Sequence, residues 1–396
     1  MKKLLENLLK YLRSSAIGSF FAREISPSRW VRRVLLSAVV ILAVTAALVS
    51  LLDPCFHYHK WEFIPRIYTQ PYWQIPGILK TFEYDSVIIG SSTSQNFNLA
   101  DFRRELGVKP VKATASACYS HTGRTFAETA IRFNPKLKRI YYGLDLFIFF
   151  KPSDYDKYPL PDFLYTRNHY RDLCYWWNYD IIFIFLQDIQ RDFGSLLRGD
   201  GKSTNPDIMF AGSYFSDMKK HGRQYVVKSV RKNTFRQTAQ VGQEKRKKAL
   251  QRFSENLDNN FVPMVKNNPS IEFIFYFTPS SGLNFSDAKN FGTLDLFLTL
   301  REMIAEKLLV FPNVRIYDFQ VIPETLSVDN YKDLAHYKPS INTEMVKWIR
   351  EDKYRVRSPA DMAKNNQTLT RHADELMPLW KDILAEAEAK PAGGKK

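Results

Sequence analysis

Two short stretches hold residue types that together can do acyl chemistry. Gly90-Ser91-Ser92 ends an apolar run in "VIIGSSTSQNF" (87–97), and Asp333-Leu334-Ala335-His336 lies far downstream in "VDNYKDLAHYKPSIN". A serine hydroxyl is a weak nucleophile until a general base removes its proton, and that base is usually a histidine oriented by a carboxylate. Asp and His separated by two residues can lie side by side on a loop or a single helical turn. The carboxylate then fixes the imidazole tautomer and leaves the other ring nitrogen for the serine. Taken singly, both stretches have plainer readings. Ser92 could cap a helix with Gln95 as capping-box partner, and His336 could be an ordinary surface histidine.

The elements that would position these residues decide between the readings. Short β-type runs occur at 85–90, 109–114, 138–145, 271–279 and 313–319, separated by helix-compatible segments, notably 98–106, 121–133, 244–266 and 293–309. Strands alternating with helices predict an α/β domain, a doubly wound parallel sheet of about five strands with helices on both faces. Such a sheet collects its ligand-handling groups at the carboxyl ends of its strands. A serine after the first strand and Asp-x-x-His after the fifth therefore converge on one edge. The other six histidines have no such place: His57 and His59 precede the domain, His121 follows the second strand, His169 and His221 lie in an insertion, and His372 is in the tail.

These blocks resemble the SGNH (GDSL-type) hydrolase superfamily, which has a flavodoxin-like sheet. Gly90-Ser91-Ser92 matches its first block with Ser91 in place of Asp, and Asp333-Leu334-Ala335-His336 matches its last. The Gly-Ser-Ser form is similar to the membrane-anchored branch that includes the D-alanine transfer protein of teichoic acid modification and relatives of polysaccharide O-acetyltransferases. The resemblance covers about 84–350. It implies Ser92 as nucleophile, His336 as base, Asp333 as orienting acid and Ser91 as structural. It also implies oxyanion donors from the serine N–H, from a glycine after strand two and from an asparagine after strand three. Here "ATASACYSHTG" offers no glycine at the turn, so Ser116, Ala117 or Cys118 would supply a backbone N–H. Asp145 stands where asparagine would donate, and an ionised carboxylate only accepts hydrogen bonds. Asp145 is then protonated, or holds the Ser92 loop, or leaves catalysis feeble.

Residues 34–52 run nineteen positions without a charge, enough to cross a bilayer as a helix. Lys2, Lys3, Lys10, Arg13, Arg23, Arg29, Arg32 and Arg33 precede them against Glu6 and Glu24, which predicts a cytoplasmic N-terminus and an exported remainder. The long apolar stretch and the absence of a small-residue cleavage site favour a retained, single-pass anchor in the cytoplasmic membrane over a signal peptide. A net charge of +16 would otherwise suggest nucleic acid. Outside the membrane it suits anionic headgroups or an anionic envelope polymer instead. The three cysteines have no CxxC spacing and cannot all pair, so they give neither a zinc motif nor a disulfide framework. With no Walker motif, no GxGxxG and no clustered His/Cys, no metal or nucleotide cofactor is expected.

The chain divides into a basic segment (1–33), the apolar helix (34–52), an aromatic and Pro-rich segment (53–83), the α/β domain (84–360) and a C-terminal helix with a tail (361–396). Residues 1–27 suit an interfacial helix or a soluble one. In 53–83, Trp61, Tyr68, Tyr72 and Trp73 suit either the membrane interface or the base of the domain. An insertion at 146–243 is aromatic first, including Trp176-Trp177, and basic later. From Lys219 to Arg252 twelve Lys or Arg face one acid, Glu244, which reads as a solvated surface or as a polymer-docking one.

The sequence thus predicts a membrane-anchored esterase or O-acyltransferase acting on an envelope carbohydrate or polyol. The resemblance implies a multispanning acyl-exporting partner for the transferase version. The rival is a catalytically silent envelope scaffold with the same fold.

Overall fold

A computed structural model describes residues 26–59, 68–166, 168–184, 186–187, 190, 205–211, 220–232 and 242–389. The interfacial helix expected in 1–27 (all but its last two residues), Trp61, part of the basic run and the terminal PAGGKK lie outside the described residues.

The elements, in chain order, are α1 (Pro27–Leu52), α2 (Pro71–Thr81), β1 (Ser86–Gly90), α3 (Leu99–Leu106), β2 (Pro110–Thr114), α4 (Ser120–Phe133) and β3 (Arg139–Leu144). Then come α5 (Asp172–Trp176), α6 (Arg223–Lys232), α7 (Gln243–Asn256), α8 (Val262–Lys266), β4 (Glu272–Phe277), α9 (Gly282–Asn290), α10 (Leu294–Leu308) and β5 (Val314–Asp318). The chain closes with α11 (Pro339–Arg350), β6 (Arg355–Val356), α12 (Pro359–Glu375) and α13 (Met377–Ala389).

The six strands form one sheet in the order β2-β1-β3-β4-β5-β6. The first five are parallel and β6 pairs antiparallel with β5. All five predicted strands are present, and β6 is an addition: two residues are too short to leave a periodic signal in the sequence. Both faces of the sheet are covered. On one, Tyr142 and Phe275 pack against Phe261, in a π-helical turn between α7 and α8. On the other, Tyr141 meets Phe102 of α3, and Tyr276 meets Phe97. Two-sided burial accounts for the continuous apolar runs of the strands, because neither face needs polar side chains.

The C-terminal region differs from expectation. In place of one helix there are two, α12 and α13, parted at Leu376, and Pro378 stands in the first turn of the second, where proline is best tolerated. Leu369, Trp380 and Ile383 join the central core, so these helices belong to the α/β body. Arg301 of α10, fully buried, pairs with Asp318 at the end of β5, which also accepts from Asn365 of α12. A buried charge pair without added hydrogen bonds of this kind would cost several kcal/mol to hold.

Helix α1 is long and apolar enough to cross a membrane, and only 6% of its apolar window is buried inside the protein. Its last turns carry the one covered stripe, Thr45, Ala46, Val49 and Ser50, which faces the insertion.

Candidate active site

Strand β1 delivers Gly90 to the carboxyl edge, where the chain turns at once into a 3₁₀ segment, Ser94–Asn96. That turn folds back over the sheet so tightly that a Cβ at Gly90 would fall 2.3 Å from Ser94 Oγ, and one at Gly143 of β3 would fall 2.6 Å from it. Only glycine fits at either position, and Ser94 Oγ hydrogen-bonds Tyr276 Oη at 2.9 Å in the space so left. The turn leaves Ser92 half-buried at its apex while Ser91 and Thr93 point inward.

Asp333 and His336 sit in a narrow loop held by five contacts. Tyr331 and Tyr337 pair as an antiparallel bridge, and Lys332 donates to the His336 carbonyl. Lys338 donates to Asn330, Ser281 to Leu334, and Tyr331 Oη to the Pro279 carbonyl at 2.7 Å. The Asp-x-x-His pair is therefore fixed by a bridged loop rather than a helical turn. Asp333 Oδ1 accepts the backbone N–H of Ala335 and of His336, both at 2.8 Å, and Oδ2 lies 2.7 Å from His336 Nδ1. His336 Nε2 lies 2.8 Å from Ser92 Oγ. With Nδ1–H donating to Asp333, Nε2 is left as acceptor for the Ser92 hydroxyl, the polarity a general base needs. The Ser92 side chain reaches His336 and caps no helix; the helix that follows, α3, is capped by Asn98.

Burial pushes the Asp333 carboxyl up, but the hydrogen bond and charge of His336 and the two backbone N–H groups outweigh it. The carboxyl is held below the ordinary aspartate range. It stays ionised beside the imidazole over the whole neutral range.

Asp145 is taken up by side-chain hydroxyls. It is buried directly after β3 and accepts from Ser91 Oγ at 2.5 Å, Thr278 Oγ1 at 2.6 Å and Thr93 Oγ1 at 3.1 Å. Burial raises its pKa, and the three hydroxyls and the His336 charge offset part of that rise. Of the three expectations for this residue, the geometry matches the second: it clamps the turn that carries Ser92. Ser91 Oγ is engaged in this clamp. Thr93 and Thr278 were missed in the sequence; their only signal was being small polar residues at strand ends.

On the β2 side, Ala115 donates to the Gly90 carbonyl at 3.1 Å, which brings the following turn beside the Ser92 turn. In that turn Ser116 is exposed and Ala117 adopts φ 55, a left-handed conformation that glycine adopts freely and alanine does at a cost of about 1–2 kcal/mol. Ala117 thus holds a glycine-like backbone conformation while carrying a Cβ. Tyr72 Oη of α2 holds the turn from below by donating to the Ser116 carbonyl at 2.8 Å. Among the described residues, no hydrogen bond takes up the backbone N–H of Ser92, Ser116 or Ala117. These N–H groups, on the Ser92 turn and on the turn after β2, are left to serve an oxygen developing charge at Ser92. Cys118 donates its N–H to Ala115 and is buried, which removes it from that set.

The remaining aromatic and histidine candidates lie elsewhere. His121 pairs with Asp156 at 2.8 Å, His57 lies between Lys80 and Asp172, and Trp176-Trp177 sit beside α1. No protein-family model, curated protein or solved structure matches the chain.

Proposed function

We propose that the protein is a serine esterase or O-acyltransferase of the SGNH type, with a flavodoxin-like sheet, anchored by α1 and acting outside the cytoplasmic membrane. One observation carries the reading: the continuous hydrogen-bonded series Ser92–His336–Asp333 at the carboxyl edge of a parallel sheet. In this reading Ser92 Oγ attacks an ester carbonyl while His336 Nε2 takes its proton. The imidazolium, held by Asp333, then protonates the leaving alcohol, and an acyl-serine remains. Water, or a carbohydrate or polyol hydroxyl, deprotonated by the same imidazole, attacks that ester and frees Ser92. The backbone N–H groups of Ser92 and of Ser116 or Ala117 would bear the oxyanion, so Asp145 is not needed there.

The basic surface and the exported side of the chain support an anionic envelope polymer as acceptor, and the transferase version calls for a multispanning membrane protein to supply the acyl group. Strand order β2-β1-β3-β4-β5 supports the fold assignment, since the crevice between β1 and β3 is where such sheets place their ligands.

Hydrolysis of a simple acetyl ester by the purified full chain in detergent tests the chemistry. Ser92→Ala should lower turnover to background, and Asp333→Asn should lower it by about 10³–10⁴-fold with the fold retained. Equal rates in wild type and Ser92→Ala would favour the silent scaffold.

A further inference from the structure

The insertion carries a row of exposed apolar side chains that the proposed chemistry does not use. Tyr170 is 91% exposed and Tyr179 74%, with Leu173, Trp177, Phe183 and Leu186 at 42–56%. A patch of this kind on a free surface would be an aggregation hazard, so something covers it.

Its position identifies the cover. Tyr175, on the opposite side of α5, is fully buried and donates to Asp53 Oδ1 at 2.6 Å, directly after the end of α1. Tyr175 and Ile181 share a small core with Val49 and Cys55. Trp177 Nε1 donates to the Leu42 carbonyl at 3.0 Å. Leu42 stands ten positions before the last residue of α1, roughly 15 Å along a helix that rises 1.5 Å per residue. The insertion therefore runs down beside the outer half of the apolar helix and packs on its small-residue stripe, Thr45, Ala46, Val49 and Ser50. Small residues allow such close packing where no hydrophobic effect drives it.

We infer that residues 170–184 with 186–187 form a second membrane-embedded element, whose outward side chains contact lipid in the outer leaflet beside α1. This rests on the reading of α1 as a membrane span. If α1 is surrounded by acyl chains, the side chains at the depth of Leu42 that face away from it are surrounded by them too. Tyr favours the headgroup level and Leu and Phe the level below, while Trp177, at the depth of Leu42, has its indole N–H satisfied by the Leu42 carbonyl. Arg171 and Asp180 are the exposed charged residues among the described part of this segment. Arg171 can extend its guanidinium to the phosphates. Asp180 lies at the start of the helical stretch 179–184, where the helix dipole favours an anion. The consequence is a catalytic body tied to the bilayer at two places, and so held at a fixed orientation.

The native chain carries its own probe. Cys55 and Cys118 are buried and Cys174, on the same outward face, is exposed. A nitroxide attached to Cys174 in detergent, followed by reconstitution into phosphatidylethanolamine–phosphatidylglycerol vesicles, reports collisions with oxygen, which concentrates in lipid, and with a water-soluble nickel chelate. Two controls in a Cys174→Ser background place the same label at Val40→Cys on α1 and at Val310→Cys, on the exposed surface of the α/β body. The expected result is a shift of collision preference from the nickel chelate to oxygen at Cys174, as at position 40 and opposite to position 310. Nickel preference at Cys174 with oxygen preference at position 40 would overturn the embedded segment and leave the anchor standing. Nickel preference at both would overturn the anchor itself.

Discussion

Two buried aspartates organise two regions of this molecule, and they do so by different means. Asp145 gathers three side-chain hydroxyls from two distant turns, and the product is a rigid apex that presents Ser92. Asp53 gathers backbone N–H groups from His57, Tyr58 and His59, plus the Tyr175 hydroxyl, and the product is a tight exit from α1. Burial raises the pKa of both carboxyls, and their hydrogen bonds offset part of the rise. Asp53 itself adopts φ 43 and Phe56 φ 56, so both regions also hold non-glycine residues in left-handed backbone. The difference lies in what is fixed. A hydroxyl cluster fixes side chains, which suits a reacting group; a backbone cluster fixes chain direction, which suits an anchor.

Removing one carboxylate at a time should separate these roles. Asp145→Asn places an amide donor against hydroxyl donors, and it should lower unfolding stability by about 2–4 kcal/mol and lower esterase turnover with it. Asp53→Asn should cost a similar amount of stability in urea titrations and leave turnover in detergent unchanged. Loss of turnover in Asp53→Asn would break the division between the two regions.

The pH dependence sharpens the same contrast. An acid whose folded pKa is raised binds more protons in the folded state, so its contribution to stability falls as pH rises above 3.8 and is regained on acidification. The stability difference between wild type and either Asn variant should therefore grow as pH falls toward 4, with a slope of at most about 1.4 kcal/mol per pH unit. Asp333 has the opposite sign. Its folded pKa lies below 3.8, so its contribution is present above that value and is lost as pH falls through the folded pKa. Unfolding of Asp333→Asn across the same range should show no growing deficit toward acid.

Much of this was legible in the sequence, and the reason is periodicity. Buried parallel strands and amphipathic helices leave local patterns, so β1 to β5 and the helices α3, α4, α7 with α8, and α10 could be read within a residue or two. The Ser92 and His336 pairing was legible because topology alone brings strand ends to one edge. The aspartate clusters were not. Tyr175 stands 122 positions from Asp53, and Thr278 stands 133 from Asp145, and nothing local marks either partner. Asp145 therefore read equally as protonated, as holding the Ser92 loop or as weakening catalysis, and Asp53 drew no reading at all. The break between α12 and α13 was overlooked although Pro378 marked it.

The smallest effect concerns the turn after β2. Ala117→Gly removes the left-handed strain at some cost in chain entropy and should raise stability by about 0.5–1 kcal/mol in thermal or urea unfolding. A decrease would mean that the Ala117 methyl makes packing contacts that outweigh its backbone strain.

The central claim is that Ser92 is the nucleophile, and covalent trapping addresses it most directly. Incubation of the purified full chain with a fluorophosphonate, followed by proteolysis and peptide mass measurement, should place one phosphonyl group on the peptide containing Ser92, and Ser92→Ala should carry none. An adduct that persists in Ser92→Ala, or a wild type that stays unmodified while a control serine hydrolase is fully labelled, would contradict it.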